Sequence, residues 1–477
     1  MQTTSSTPPS AGDPTTPAPR DTWGSKAAFI LAAAGSAVGL GNIWGFPTVA
    51  AANGGGAFLV LYLICVALIG APVMLAELAI GRRSQRNPVG AFKAIKPGTA
   101  WGLVGALGVI TGIVILSFYS VIAGWTLTYV WKTLTGAFGV GADTEAIFGG
   151  VAGSAWGSIF THLLFMALTI YVVLGGVRHG IERWTKVLMP LLAIILVLLV
   201  IRAVTLSGAG AGLEFYLKPD FSDINGGVVL AAIGQAFFSL SLGMGAMITY
   251  GSYIGKKDDL VTSALWVSGF DTAIAIMAGL IIFPTLFHAG MQAGDGGPGM
   301  VFVVLTSLLG TIPPAPIGGI LFGTLFFLLL AIAALTSSVS LLEVATAYFV
   351  DEKRWSRKKA AVAVGGAAFL LGIPSALGNG AVGWLSSLPG VGTDFLSFLF
   401  MLFGQYALVV GALFIALFAG WAWGVKGVGE EVRANDGKFP LGRTWSFLIR
   451  FLAPVAIVLI LMQLLISLFG FGQVAAG

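Results

Sequence analysis

Residues Ile30–Pro47, ILAAAGSAVGLGNIWGFP, are apolar enough to enter a bilayer yet cannot cross it as one continuous helix. Gly35, Gly39 and Gly41 interrupt the stretch, and Asn42 and Pro47 follow them. Hydrocarbon offers no partner for a free amide or carbonyl, so such a break persists only where it lines a buried polar site. A second break lies at Phe238–Gly245, FSLSLGMG, some two hundred residues further on. Paired interruptions at corresponding positions of two halves mark the binding site of a secondary transporter. Close helix packing of the small-xxx-small kind is the other use of Gly35 and Gly39. It does not account for Gly39-Leu40-Gly41-Asn42 followed by Pro47.

Working outward, the 477 residues are 57% hydrophobic and 9% charged, with a mean hydropathy of +0.94, which makes the chain an integral membrane protein. Apolar runs fall at 25–50, 54–80, 101–131, 155–176, 184–205, 227–253, 260–288, 317–349, 360–377, 384–424 and 443–470, giving eleven transmembrane helices. Residues 1–20, rich in Ser, Thr and Pro, read as a disordered cytoplasmic tail rather than a signal peptide. With the N-terminus cytoplasmic, the loop cations gather inside and only Lys132, Arg202 and Lys218 fall outside. The chain is then a multi-pass protein of the cell inner (plasma) membrane, with its C-terminus outside. Its charge of +5 reflects this topology, not nucleic-acid binding. Cys65 has no partner for a disulfide, and His162, His179 and His288 have no metal-ligand spacing.

Spans one to five and six to ten each open with an interrupted helix. An odd number of spans per half forces opposite orientation, so a 5+5 inverted repeat is expected. The transporter domain covers 21–477, with repeat one at 25–205, repeat two at 227–424 and an extra helix at 443–470. Gly54–Gly56 lacks the Lys-Ser/Thr of a phosphate loop and reads as a turn between spans one and two.

GSAVGLGNIW, NGGGAF, ELAIGR, GWTLTY, GIERWTKVLMP, GQAFFSLSLGMGAMITYGSY and ALTSSVSLLE, spread from Trp23 to about Asp351, together resemble the neurotransmitter:sodium symporter family, above all its bacterial amino-acid members. The resemblance implies an all-α fold with broken helices one and six and two sodium sites. It puts the first at the Ala37 carbonyl, Asn42, Ser239 and Asp271, completed by the substrate carboxylate. It puts the second at the carbonyls of Gly35, Val38 and Ala333 and the hydroxyls of Thr336 and Ser337. Sodium is a hard cation that takes such oxygens. Hydroxyl bonding back to the preceding turn is the other reading of Thr336-Ser337-Ser338.

The implied substrate is an L-amino acid. Its carboxylate would meet the Leu40 and Gly41 amides and the Tyr119 hydroxyl, and its ammonium the carbonyls of Ala37, Phe238 and Ser239 with Ser241. Ile115, Tyr119, Phe238, Ser241, Met244, Ser337 and Leu341 would line an apolar side-chain subsite, which favours neutral hydrophobic residues. The implied gates are an Arg20–Asp351 pair beside Trp23 and Tyr253 on the inside, and Phe238 over Tyr119 with water around Gln235 on the outside. Gly180-x9-Pro190 resembles the family's helix-unwinding motif. Relatives place a basic residue at Gly45 to latch an acid matching Asp394; only the acid is present here. Tyr62, Gln235 and Ser239 match a chloride site whose last serine is replaced by Ala275, and Asp271 supplies a fixed charge, so no chloride is expected. Glu77 and Glu343 are embedded acids for polar packing or gating. The expected function is sodium-coupled amino-acid symport by alternating access. The alternative is a transporter of the same fold that is proton-driven or uncoupled. An enzyme is not expected, because no nucleophile–base pair or metal cluster stands out.

Overall fold

The computed structural model describes residues 21–222, 224–291, 300–434 and 437–468; the expected tail 1–20, with Arg20, lies outside them. Among the described residues the chain is helical and carries no strand. Among the described residues nine helices are long and apolar enough to cross a membrane: α3 Gly56–Ser84, α4 Gly102–Leu134, α5 Ala155–Leu174, α6 Val177–Val204, α9 Leu260–His288, α10 Ile317–Lys353, α11 Arg357–Leu377, α12 Phe395–Ala422 and α14 Gly442–Ile466. A tenth is the pair α1 Lys26–Ala37 and α2 Gly41–Ala52, bent by 55° at its break. The halves α7 Gly226–Ser239 and α8 Ala246–Gly251 flank the second break, which is consistent with eleven crossings. A short amphipathic helix, α13 Gly424–Arg433, joins α12 to α14.

Lipid, not water, decides which faces lie outward. On α6 the residues Val187, Leu191, Ile194, Leu198 and Ile201 recur at helical spacing and are exposed. The polar side chains turn inward, where Ser36, Asn42, Glu77, Ser239, Asp271, Thr336 and Ser337 are buried. The broken pairs sit among α3, α4, α9 and α10, and α4 and α10 pack against each other most extensively.

The turn between α2 and α3 forms where NGGG placed it. Gly54 has φ +83 and Gly55 φ +54, backbone that side chains resist, and a Cβ on Gly55 would come within 2.4 Å of the Phe215 carbonyl. One expectation needs correction. The tenth span starts at Phe395 rather than 384, because Gly390 and Gly392 adopt positive φ and residues 383–386 form a separate short helix. In the Gly180–Pro190 segment a wide turn over Val177–Glu182 runs into helix that carries Pro190 internally.

Helices approach closely at Gly81, where an added Cβ would lie 2.1 Å from the Ile248 carbonyl of α8. At Gly45 the nearest atoms to an added Cβ are 3.8 Å away, an ordinary contact. Gly81→Ala should therefore destabilise the purified protein by about 1–3 kcal/mol, the usual cost of overpacking, and Gly45→Ala should leave its melting temperature nearly unchanged. Equal melting temperatures for the two variants would contradict the packing described here.

Candidate functional site

The centre of the molecule is best understood by following the backbone groups that the two breaks release. Val38 leaves the helix at ψ 114, after its amide has bonded the Ala34 carbonyl at 2.7 Å. The Gly39 amide then donates to Asn42 Oδ1 at 3.1 Å, and the Leu40 amide to the Tyr119 hydroxyl at 3.1 Å. Carbonyls are served by side chains from other helices. Ser337 Oγ donates to Val38 at 2.9 Å, Ser241 Oγ to Ser36 at 3.3 Å, and Gln235 Nε2 to Gly41 at 3.0 Å. At the second break Ser241, Gly243 and Gly245 all have positive φ, and the Gly243 amide donates to Glu77 Oε1 at 2.8 Å. Glu77, whose role the sequence left open, is a cap for that break.

Each buried polar backbone group needs a partner. Among the described residues, no hydrogen bond reaches the carbonyls of Gly35, Ala37 or Ser239. All three belong to the oxygens named from the sequence as ion or ammonium ligands.

Around these carbonyls the side chains fall into two polar groups. In one, Asn42 Nδ2 donates to Asp271 Oδ1 at 2.7 Å and to Ser239 Oγ at 2.9 Å. Ser239 Oγ donates to Asp271 Oδ2 at 2.6 Å and receives the Tyr62 hydroxyl at 3.1 Å. Ala275 is buried one turn beyond Asp271 on α9. In the other group, Ser337 Oγ bonds the Val38 carbonyl and Thr336 Oγ1 donates to Ala333 at 3.0 Å. A Cβ on Gly35 would touch Thr336 Cβ at 3.3 Å, so break and helix are in direct contact. Thr336 thus bonds back into its own helix while Ser337 crosses to the break. Among the described residues no group of three or more His, Cys, Asp or Glu gathers.

Between the polar groups lies a cavity of about 390 Å³. Ala37, Leu40, Gly41, Ile115, Tyr119, Phe238, Ser241, Met244, Ser337 and Leu341 line it, and Ser239 stands behind, with Asn42. The wall carries no charged side chain. The cavity continues past Trp44, Gly45 and Thr48 on α2 and Leu396 and Ser397 on α12. Asp394 caps α12, its Oδ1 receiving the Ser397 amide at 2.9 Å, and Gly45 lines the cavity. The Phe238 ring meets Phe400 edge-on at 5.8 Å and lies against Gly41, and it shares the cavity wall with Tyr119. Ser36, whose buried Oγ has no partner, and Phe400 were not singled out from the sequence. Nothing distinguishes Ser36 from a packing serine until its surroundings are known.

The opposite end is sealed. Trp23 donates from its backbone to the Tyr253 carbonyl at 3.2 Å and from Nε1 to Tyr250 at 3.1 Å. Tyr253 donates to Glu343 Oε1 at 2.7 Å, Glu343 pairs with Arg357, and Arg357 Nε reaches the Val173 carbonyl at 2.9 Å. Asp351 accepts from the Asn87 amide at 2.8 Å; its expected partner Arg20 lies outside the described residues. The Glu343–Arg357 pair was missed because nothing in sequence marks two residues on different helices as neighbours.

This arrangement has known counterparts. The model of the sodium:neurotransmitter symporter family matches residues 20–142 and 152–472. An uncharacterised sodium-dependent transporter of Bacillus subtilis is 39% identical over 453 residues, covering 93% of this chain and 97% of the relative. A sodium- and chloride-dependent GABA transporter of Drosophila melanogaster is 27% identical over 88% of this chain and 48% of its own length. The crystal structure of MhsT in complex with L-phenylalanine is 47% identical, with a TM-score of 0.84, covering 93% of this chain and 99% of that one. Its helices, its two breaks and these similarities agree: the chain is a membrane transporter, not an enzyme, and belongs to the sodium:neurotransmitter symporter family.

Proposed function

We propose that the protein couples two sodium ions to the uptake of neutral, hydrophobic L-amino acids by alternating access, without chloride. The observation that carries this reading is the coincidence of unsatisfied carbonyls at Gly35, Ala37 and Ser239 with two polar groups rich in oxygen and an uncharged, mostly apolar cavity. Oxygen donors of mixed carbonyl, hydroxyl and carboxylate type suit a hard monovalent cation. An amino acid suits the space between them, because its charges can meet the converging helix ends while its side chain faces Ile115, Met244 and Leu341. The solved relative's L-phenylalanine supports the same substrate class.

Coupling follows from charge. A substrate carboxylate at the break would approach the buried Asp271 carboxylate. Two such charges about 5 Å apart repel by about 3 kcal/mol at an effective dielectric of about 20. Sodium held between Asn42, the Ala37 carbonyl and Asp271 would turn that repulsion into mutual attraction to a shared cation. Substrate affinity should accordingly fall on the order of a hundredfold when potassium replaces sodium. The second ion, at Gly35, Val38, Ala333, Thr336 and Ser337, would join α1 to α10, so its release would free α1 to move. Trp23, Tyr253, Glu343 and Arg357 would close the cytoplasmic side, and Asp351 with Arg20 would assist them. Gly180 and Pro190 would mark where α6 opens. The two halves, 25–205 and 227–424, would rock as an inverted repeat in the inner membrane, N-terminus inside and C-terminus outside.

In proteoliposomes, uptake of L-phenylalanine should require an inward sodium gradient, and Asn42→Ala or Thr336→Ala should abolish it while the protein still inserts. Wild-type sodium dependence in either variant would overturn the ion sites; uptake driven by protons alone would favour the uncoupled or proton-driven alternative.

The outer side lacks its latch. An arginine introduced by Gly45→Arg would enter the cavity that Gly45 lines and reach toward Asp394, so exchange of external substrate should slow several-fold. An unchanged exchange rate would show that another contact closes this side.

Chloride is the remaining ion. Asp271 already provides a negative charge where Tyr62, Ser239 and Asn42 converge, and Ala275 offers no hydroxyl. Replacing chloride by gluconate should leave wild-type uptake unchanged. Asp271→Asn with Ala275→Ser should be inactive or become chloride-dependent, and a chloride requirement in the unaltered protein would refute the assignment.

A further inference from the structure

Arg450 lies in the last span, roughly 12 Å of helix beyond Gly442 at 1.5 Å per residue. A cation within hydrocarbon is costly and is kept where it is partnered or used. Arg450 Nε donates to the Gly420 carbonyl of α12 at 2.9 Å, and Trp421 Nε1 returns a bond to the Arg450 carbonyl at 3.3 Å. The guanidinium lies 5.2 Å from the Trp421 ring centroid. Among the described residues no carboxylate pairs with it, and its two terminal nitrogens have no acceptor.

Both helices change winding at this level. Wide turns run over Phe418–Ala422 in α12 and Leu448–Leu452 in α14, and the two exchanged bonds connect one to the other. Such inserted turns recur at functional sites, and here they fix the guanidinium between the two helices beside the Trp421 ring. Trp421 is 56% exposed and Phe447 59%, and both meet Phe451 at ring distances below 6 Å. Arg443 stands seven residues earlier on the same helical face and is exposed. Beyond Arg450 the same helix presents Val455 and Leu459 outward.

We propose that this face of the α12–α14 junction is a site for an anionic phospholipid. Arg450 and Arg443 hold its phosphate, Trp421 and Phe447 flank the glycerol level, and its acyl chains lie along Val455 and Leu459. The planar guanidinium fork matches phosphate oxygens, and the absence of a carboxylate leaves that match open. A zwitterionic lipid offers the same phosphate but adds a cation beside the two arginines, so the site discriminates by net charge.

The test uses full-length protein, washed in detergent and titrated with phosphatidylglycerol or phosphatidylcholine, with bound lipid counted by native mass spectrometry. Wild type should retain phosphatidylglycerol about fivefold over phosphatidylcholine, the preference expected from one basic side chain near an anionic head group. Arg450→Gln should bring the two lipids to parity, Arg450→Lys should keep a reduced preference, and Arg443→Gln should lose part of it. Equal retention of the two lipids by wild type overturns the proposal and leaves Arg450 as a side chain that merely extends to water. A preference undiminished in both Arg450→Gln and Arg443→Gln overturns it equally. Should Arg450→Gln fail to fold, Arg443→Gln and the wild-type ratio still decide.

Discussion

Backbone amides and carbonyls released inside a bilayer have no solvent to receive them, and the architecture around the two breaks is organised by that constraint. Asn42 and Tyr119 accept the amides of Gly39 and Leu40, while Ser337, Ser241 and Gln235 reach carbonyls from three other segments. Glu77 performs the same service for Gly243. Because these partners come from different helices, each break also ties the bundle together. The groups left over are a minority, and among their residues Ala37 lines the cavity. In the proposed function, ions and substrate complete an accounting that the protein alone leaves open. Binding and conformational change are then linked through the same atoms.

The two ends of the molecule are held by different physics. One end carries aromatic rings, an embedded Tyr253–Glu343–Arg357 chain and a buried Arg82, whose Nε bonds Glu431 at 2.7 Å while Lys256 bonds its carbonyl at 2.8 Å. Buried charges of this kind are weak sources of stability but strict about geometry, since separating a pair leaves a charge unsolvated. The other end presents mainly apolar contacts around Phe238 and Phe400, together with the space beside Gly45. Apolar contacts can slide and reform at little cost. The structure thus combines a cavity that extends toward its softer end with a firmly paired opposite end.

Sequence reasoning reached far along the chain because the bilayer narrows the possibilities. Spans follow from apolar length, and the breaks follow from glycine, asparagine and proline where a helix should continue. The NGGG turn appeared where it was placed, since positive φ at Gly54 and Gly55 is a local property. The start of the tenth span was misplaced because Trp384 and Leu385 are apolar although they belong to a loop-side turn. The contact of Phe238 with Phe400 was not legible, because it is set by which ring lies within reach and not by anything in FSLSLGMG.

From the sequence alone came the membrane class, the helical architecture, the two interruptions and, through the motifs, the residues that gather at them. These depend on composition and near-neighbour backbone chemistry, which a linear chain carries in full. Only the tertiary structure decided which released groups find partners, that Ser36 faces the cavity without one, that Glu343 pairs with Arg357, and that Arg450 meets Trp421 beside lipid. Each of these depends on distances between helices far apart in sequence. Such distances are fixed by packing many side chains at once, and no local stretch of residues contains that information.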